Sequence, residues 1–150
     1  MADWFLKVKK DFITCFLEKD RWHYILQGLG NTLKIALVAV LLGVVIGTVV
    51  AIIRSTYDKN AATMRPGIVR FLLGLGNAVC RIYLTVIRGT PVMIQILIMF
   101  FVIFSNARDG VPVAMLTFGI NSGAYVAEII RGGIMAVDAG QMEAGRSLGF

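Results

Sequence analysis

Apolar residues in this chain fall into long unbroken runs instead of alternating with polar ones, a pattern that predicts helices crossing a membrane. Ile35 to Ile53 carries no charge. At about 1.5 Å per residue this run reaches roughly 30 Å, the thickness of a hydrocarbon core. Gly28 and Gly30 punctuate the chain ahead of it, and Asn31 or Thr32 is placed to cap, so a first span is expected at about 33–53. Gly43, Gly47 and Ala51 recur every fourth residue within it. They form a small-residue face that another helix could approach closely, although glycine is also common in membrane helices generally.

The next apolar run is broken. Phe71 to Ile87 is interrupted by Arg81, and Arg88-Gly89-Thr90-Pro91 follows. Thr90 as N-cap with Pro91 in the first helical position would restart a helix there. Val92 to Phe104 alone is too short to stand upright in a bilayer. The second span is therefore expected at about 82–104, with a bend near Gly89-Thr90-Pro91. Arg81 and Arg88, seven apart, would share one helical face and could reach toward the headgroups.

A short polar loop containing Arg108 and Asp109 leads into a third span, Val111 to Ile130. Gly119, Gly123 and Ala127 make a close-packing stripe on one side, while Asn121, Tyr125 and Glu128 line nearly the opposite side. Polar groups at membrane depth are costly unless they face protein or water, so this second side should look into a bundle interior or a pathway. Glu128 could instead pair with Arg131 one turn away.

Composition agrees with the spans. Hydrophobic residues make up 57% of the chain and charged ones 16%, with a mean hydropathy of +0.77, which places it in the membrane class. Little polar sequence is left for a separate soluble catalytic domain. The net charge of +6 is concentrated in 54–88, where Arg54, Lys59, Arg65, Arg70, Arg81 and Arg88 outweigh Asp58. Between apolar runs such an excess marks a cytoplasmic loop, here Arg54 to Arg70 with its Arg65-Pro66-Gly67 turn. No aromatic-interleaved basic patch accompanies it, so nucleic acid is not an expected partner. The N-terminus should then face outward, although Lys7, Lys9, Lys10, Lys19 and Arg21 there offset the acids around them.

Residues 1–31 form the N-terminal segment. Phe5, Val8, Phe12 and Phe16 at helical spacing, mixed with Lys7, Lys10, Asp11 and Glu18, predict an amphipathic helix lying on the membrane surface. Trp22, His23 and Tyr24 suit the headgroup layer. No second histidine exists to share a metal or a proton relay with His23. Cys15 and Cys80 fit neither a disulfide framework nor a metal spacing and read as small apolar residues. No cleavable signal is evident, so the first span would act as an uncleaved anchor.

After Ile130 the composition changes. Arg131-Gly132-Gly133 leads to a charged, glycine-bounded segment that should lie outside the bilayer. Asp138 followed by Gln141 is a variant of the capping box, Glu143 would sit near the positive end of the helix dipole, and Gly149 suits the left-handed position that closes a helix. A surface helix at roughly 139–148 follows.

Glu143-Ala144-Gly145 followed by Gly149 resembles the EAA loop of bacterial ABC-importer permeases, whose pattern is Glu-Ala-Ala, three residues, then Gly. The run Ser122 to Ile134, together with Gly140 and Gln141, is similar to the polar amino acid branch of that family. Arg88-Gly89-Thr90-Pro91 resembles a signature at the corresponding place, though read alone it is a turn motif. Gly145 departs from the pattern by standing where the family usually has a second alanine. The chain also ends at Phe150, after the first half of the loop, without the family's later Ile and Leu-Pro signature.

The resemblance implies an all-α membrane protein: the amphipathic N-terminal helix plus three transmembrane helices of an expected five. Residues 32–150 would be a partial permease domain with a coupling segment at 136–149. It further implies an importer for polar amino acids in the bacterial plasma membrane, with 131–150 cytoplasmic. The implied partners are a separate ABC ATPase, an external solute-binding protein and a second permease subunit, in contact with membrane lipid. Gly140, Gln141, Glu143, Ala144, Gly145, Arg146 and Gly149 would couple to the ATPase, and Asn121, Tyr125 and Glu128 are candidates for the translocation path. There is no phosphate-binding glycine loop, so ATP would be bound by another polypeptide. No catalytic set, metal ligand cluster or cofactor motif is found. A membrane scaffold or docking fragment is the competing reading, separated from the permease by whether two further spans follow Phe150.

Overall fold

The computed structural model describes residues 2–16, 21–60, 64–65 and 67–149. Glu18, Lys19, Pro66 and Phe150, invoked above, lie outside them, as do the side chains of Cys15 and Phe16. Helices dominate, and no strand occurs among the described residues. In chain order they are α1 (Ala2–Phe16), α2 (Trp22–Asn60), α3 (Ile68–Gly89), α4 (Val92–Ile98), α5 (Gly110–Ala136) and α6 (Ala139–Ser147). Met99–Ile103 continues α4 as a π-helical turn. By length and apolar composition α2, α3 and α5 could each cross a membrane.

α1 is helical as expected, and its Trp4, Phe5, Val8 and Phe12 are exposed. The expected interruption before the first span does not occur. α2 runs unbroken through Gly28 and Gly30, and Thr32 donates its hydroxyl to the Gly28 carbonyl at 3.0 Å, an interior bond and not a cap. At its other end α2 continues past Ile53 to Asn60, so much of the expected polar loop is helix. A long helix can carry charges once it leaves the hydrocarbon, and only the charge-free part needed to be apolar.

α2 and α5 form the centre of the fold. Their small-residue stripes face each other: Gly43 opposes Ser122, Gly47 opposes Val126 and Ala127, Gly119 opposes Leu42, and Gly123 opposes Ile46. These pairs advance together along both helices, so α2 and α5 are parallel. The approach leaves no room for side chains. A Cβ at Gly43 would come within 2.5 Å of Ser122 Oγ, and one at Gly47 within 2.6 Å of Val126 Cγ1. Close packing of this kind supplies van der Waals contact where hydrophobic burial cannot, because lipid tails are as apolar as the helices.

α3 leans across this pair. Its first turns lie near the C-terminal part of α2, with Gly74 beside Tyr57 and Gly76 beside Ile53. Cys80 and Leu84 then join Val50, Ala124 and Ala127 in the buried core. The helix begins at Ile68, ahead of the Ile82 where the second span is expected, and runs through the exposed Arg81 without a break. The expected bend is present: α3 ends at Gly89 and α4 begins at Val92. Its capping differs, since Pro91 itself occupies the N-cap position and Thr90 donates back to the Val86 carbonyl at 2.8 Å. α4 then returns alongside α5, with Phe100 meeting Gly110. α3 and α4 thus follow one another between the two parallel helices, joined at the break.

α5 also outlasts its expected end. Arg131-Gly132-Gly133 remains helical and the helix stops at Ala136, with Asp109 accepting from the Val111 N–H at its start.

Candidate functional site

Glu128 lies at the junction of α2, α3 and α5. Its Oε1 receives Arg54 Nη1 at 2.7 Å and lies 3.6 Å from Arg88 Nη1, while its Oε2 is 3.7 Å from Arg131 Nη1. Arg131 is held in turn by Asp58, with Nε at 2.9 Å and Nη2 at 2.7 Å from the same oxygen. Arg131, the expected partner one turn along, is therefore present but distant, and Arg54 makes the short contact. Arg54 was expected in a loop. Its position just after the charge-free run is the signal that α2 would carry it to the membrane boundary facing α5.

Asn121 and Tyr125 lie on the same side of α5, as their spacing predicts. Asn121 donates to Gln95 Oε1 at 3.1 Å. Gln95 Nε2 donates to the carbonyls of Ile87 at 2.7 Å and Thr90 at 3.1 Å, and to the Thr90 hydroxyl at 2.7 Å. Breaking a helix at membrane depth frees carbonyls that have no water to satisfy them. One glutamine answers this at the Gly89-Thr90-Pro91 break and ties the break to α5. Gln95 was not singled out in the sequence, although it is the one amide within Val92–Phe104.

Tyr125 is exposed and its ring lies 5.8 Å under the Arg88 guanidinium, a cation–π arrangement. Arg54, Arg81, Thr85, Arg88, Tyr125 and Glu128 line a cleft of about 460 Å³. Arg88, Asn121, Tyr125 and Glu128 thus come together around one side of α5, along with Arg54 and Gln95.

The remaining candidates form a second, separate set on α6. Asp138 caps it by accepting from the Gly140 N–H at 2.8 Å, and the Gln141 N–H donates to the Asp138 carbonyl at 3.2 Å. Gln141, Glu143, Ala144 and Arg146 are exposed and Gly145 is half-buried. Ser147 donates to the Glu143 carbonyl at 2.9 Å. Gly149 adopts φ +86°, the left-handed closing position expected for it, and its N–H donates to the Arg146 carbonyl at 3.1 Å. A capped helix of about two turns thus follows α5 after a two-residue corner. Among the described residues no group of histidines, cysteines or carboxylates could hold a metal ion.

Residues 61–150 match the family described as the binding-protein-dependent transport system inner membrane component. The chain belongs to that family. It is 38% identical over 128 residues to a putative glutamine transport system permease protein of Rickettsia prowazekii, covering 83% of this chain and 52% of the relative. It is 36% identical to the arginine transport system permease protein ArtQ of Bacillus subtilis, over 84% of this chain and 52% of that protein. A crystal structure of an amino acid ABC transporter with histidines matches at a TM-score of 0.59 and 37% identity, covering 79% of this chain and 50% of that one. The chain spans about half the length of the curated relatives it matches. By family it is an inner membrane transport component and a multi-pass membrane protein.

Proposed function

We propose that this chain is part of a permease that moves amino acids through the membrane, driven by ATP hydrolysis on a separate ATPase. The α6 projection carries this reading. It is short, capped at Asp138, closed at Gly149 and attached to α5 by a two-residue corner, so a partner gripping it would move α5 as a rigid body. Glu143 and Arg146 give that contact direction and register, and Ala144 and Gly145 permit close approach. Residues 32–150 form the permease part and 1–31 the surface segment. The α6 end lies in the cytoplasm and the N-terminus outside, a reading supported by the excess of positive charge in 54–88. Asn121, Tyr125 and Glu128 line the route of the solute, with Arg88-Gly89-Thr90-Pro91 forming the bend beside it. A solute-binding protein and a second permease subunit complete the assembly.

The experiment replaces Glu143 or Gly149 in the full-length protein and measures copurification with the ATPase together with amino acid uptake. Loss of both is expected. Unchanged association with unchanged uptake refutes the coupling role.

A further inference from the structure

The cleft beside Glu128 is more positive than a membrane-level cleft needs to be for pairing alone. Arg54, Arg81 and Arg88 contribute three guanidiniums and Glu128 one carboxylate, while Arg131 nearby is held by Asp58. Arg81 pairs with no carboxylate among the described residues, and Arg54 Nε is buried without an acceptor there. Three guanidiniums against one carboxylate leave the cleft net positive, which suits an anion at the headgroup level. We propose that its arginine wall, Arg54, Arg81 and Arg88, holds the phosphate of an anionic phospholipid at the edge of the solute route proposed above, in the leaflet on the Arg54 side.

Three observations favour a lipid over an amino acid. Both Glu128 oxygens already face guanidiniums, so no carboxylate remains for an ammonium group, and a zwitterion would bring its positive end into a positive cleft. A phosphatidylglycerol or cardiolipin headgroup brings only negative charge. The level fits as well: Arg54 follows directly on the charge-free run Ile35 to Ile53, which sets it at the hydrocarbon boundary where lipid phosphates lie. Finally, exposed apolar residues flank the charged ones along the same helices. Ile82 and Ile129, next to Arg81 and Glu128 in sequence, are 65% and 73% exposed. Basic clefts between membrane helices have the chemistry for such headgroups, and bidentate guanidinium contacts suit phosphate oxygens.

The test uses the full-length protein purified in mild detergent from its own membrane, with copurifying lipids quantified by mass spectrometry. Phosphatidylglycerol or cardiolipin is expected to be enriched over its share of the membrane extract. Arg81→Gln should lower that retention roughly fivefold, and Arg81→Gln with Arg88→Gln by an order of magnitude or more, while the lysine variants at both positions keep most of it. Arg108→Gln, in the outer loop, should change nothing. Because Arg81 takes part in no ion pair among the described residues, its single variant serves even where the double variant does not accumulate. Retention independent of Arg81, or equal enrichment of phosphatidylethanolamine, overturns the proposal. Displacement of the lipid by a free amino acid but not by its carboxamide also overturns it, and assigns the cleft to the solute.

Discussion

Arg54 Nη1 and Glu128 Oε1 meet at 2.7 Å across a sequence separation of 74 residues, with Arg54 12% and Glu128 27% exposed. The pair joins α2 to α5 at the edge of the apolar layer. Removing one partner strands the other. Glu128→Gln leaves three guanidiniums facing a neutral amide and is expected to destabilise the protein by about 1–3 kcal/mol, below the fully buried limit because the site is partly open. Arg54→Gln alone should cost less, since Glu128 retains Arg88 and Arg131. Thermal unfolding of the full-length protein in detergent checks the order of these two variants.

Close packing between the parallel helices gives a second expectation. Gly47→Ala forces a methyl group within 2.9 Å of the Ala127 backbone as well as against Val126, and backbone cannot step aside as a side chain can. A cost of about 1–3 kcal/mol is expected from overpacking. Gly132→Ala on the same α5 helix meets nothing within 4 Å. It should be neutral or stabilising by up to about 1 kcal/mol through helix propensity. Melting temperatures of the two variants measured side by side decide this.

At the break between α3 and α4, Gln95→Leu removes the donor to Ile87 and Thr90 together with the acceptor for Asn121. Leaving those groups unsatisfied is expected to cost about 1–3 kcal/mol. Hydrogen exchange should quicken locally around 87–95 before it quickens in α2. Uniform exchange across both segments would mean that Gln95 does not hold the break.

The ends of α6 can be tested apart from its surface. Asp138→Ala removes the acceptor for the Gly140 N–H and should weaken the helix by about 1 kcal/mol. Gly149→Ala must adopt φ +86° with a Cβ and should cost about 1–2 kcal/mol locally, with Gly149→Asn milder. Both should lower ATPase copurification without lowering the thermal stability of the α2–α5 pair. A fall in both measurements together would place α6 in the structural core.

The sequence made the long-range architecture legible where a single local rule decides it. Charge-free length marked α2, and residues recurring every fourth position marked the faces of α2 and α5 that meet. Asp138 and Gly149 announced the ends of α6 through chemistry confined to neighbouring residues. Helix ends elsewhere were less legible. Gly28, Gly30, Gly132 and Gly133 look like punctuation but lie within helices, because in a membrane an uninterrupted hydrogen-bond ladder outweighs weak propensity. The composition of the cleft was hidden for another reason. Arg54, Arg88 and Glu128 belong to three different helices, and one sequence carries no record of which distant charges become neighbours. Gln95 gave a fainter hint, as a lone amide in an apolar run beside a predicted bend.

The parallel course of α2 and α5 has a consequence for biogenesis. As the chain is synthesised, α2 enters the bilayer with Gly43, Gly47 and Ala51 facing lipid, and its partner surface emerges nearly eighty residues later. Everything between must first insert and turn back. The tightest contact in the molecule is therefore among the last to form, and a nascent chain stalled before α5 would present a bare glycine groove to whatever insertion factor holds it.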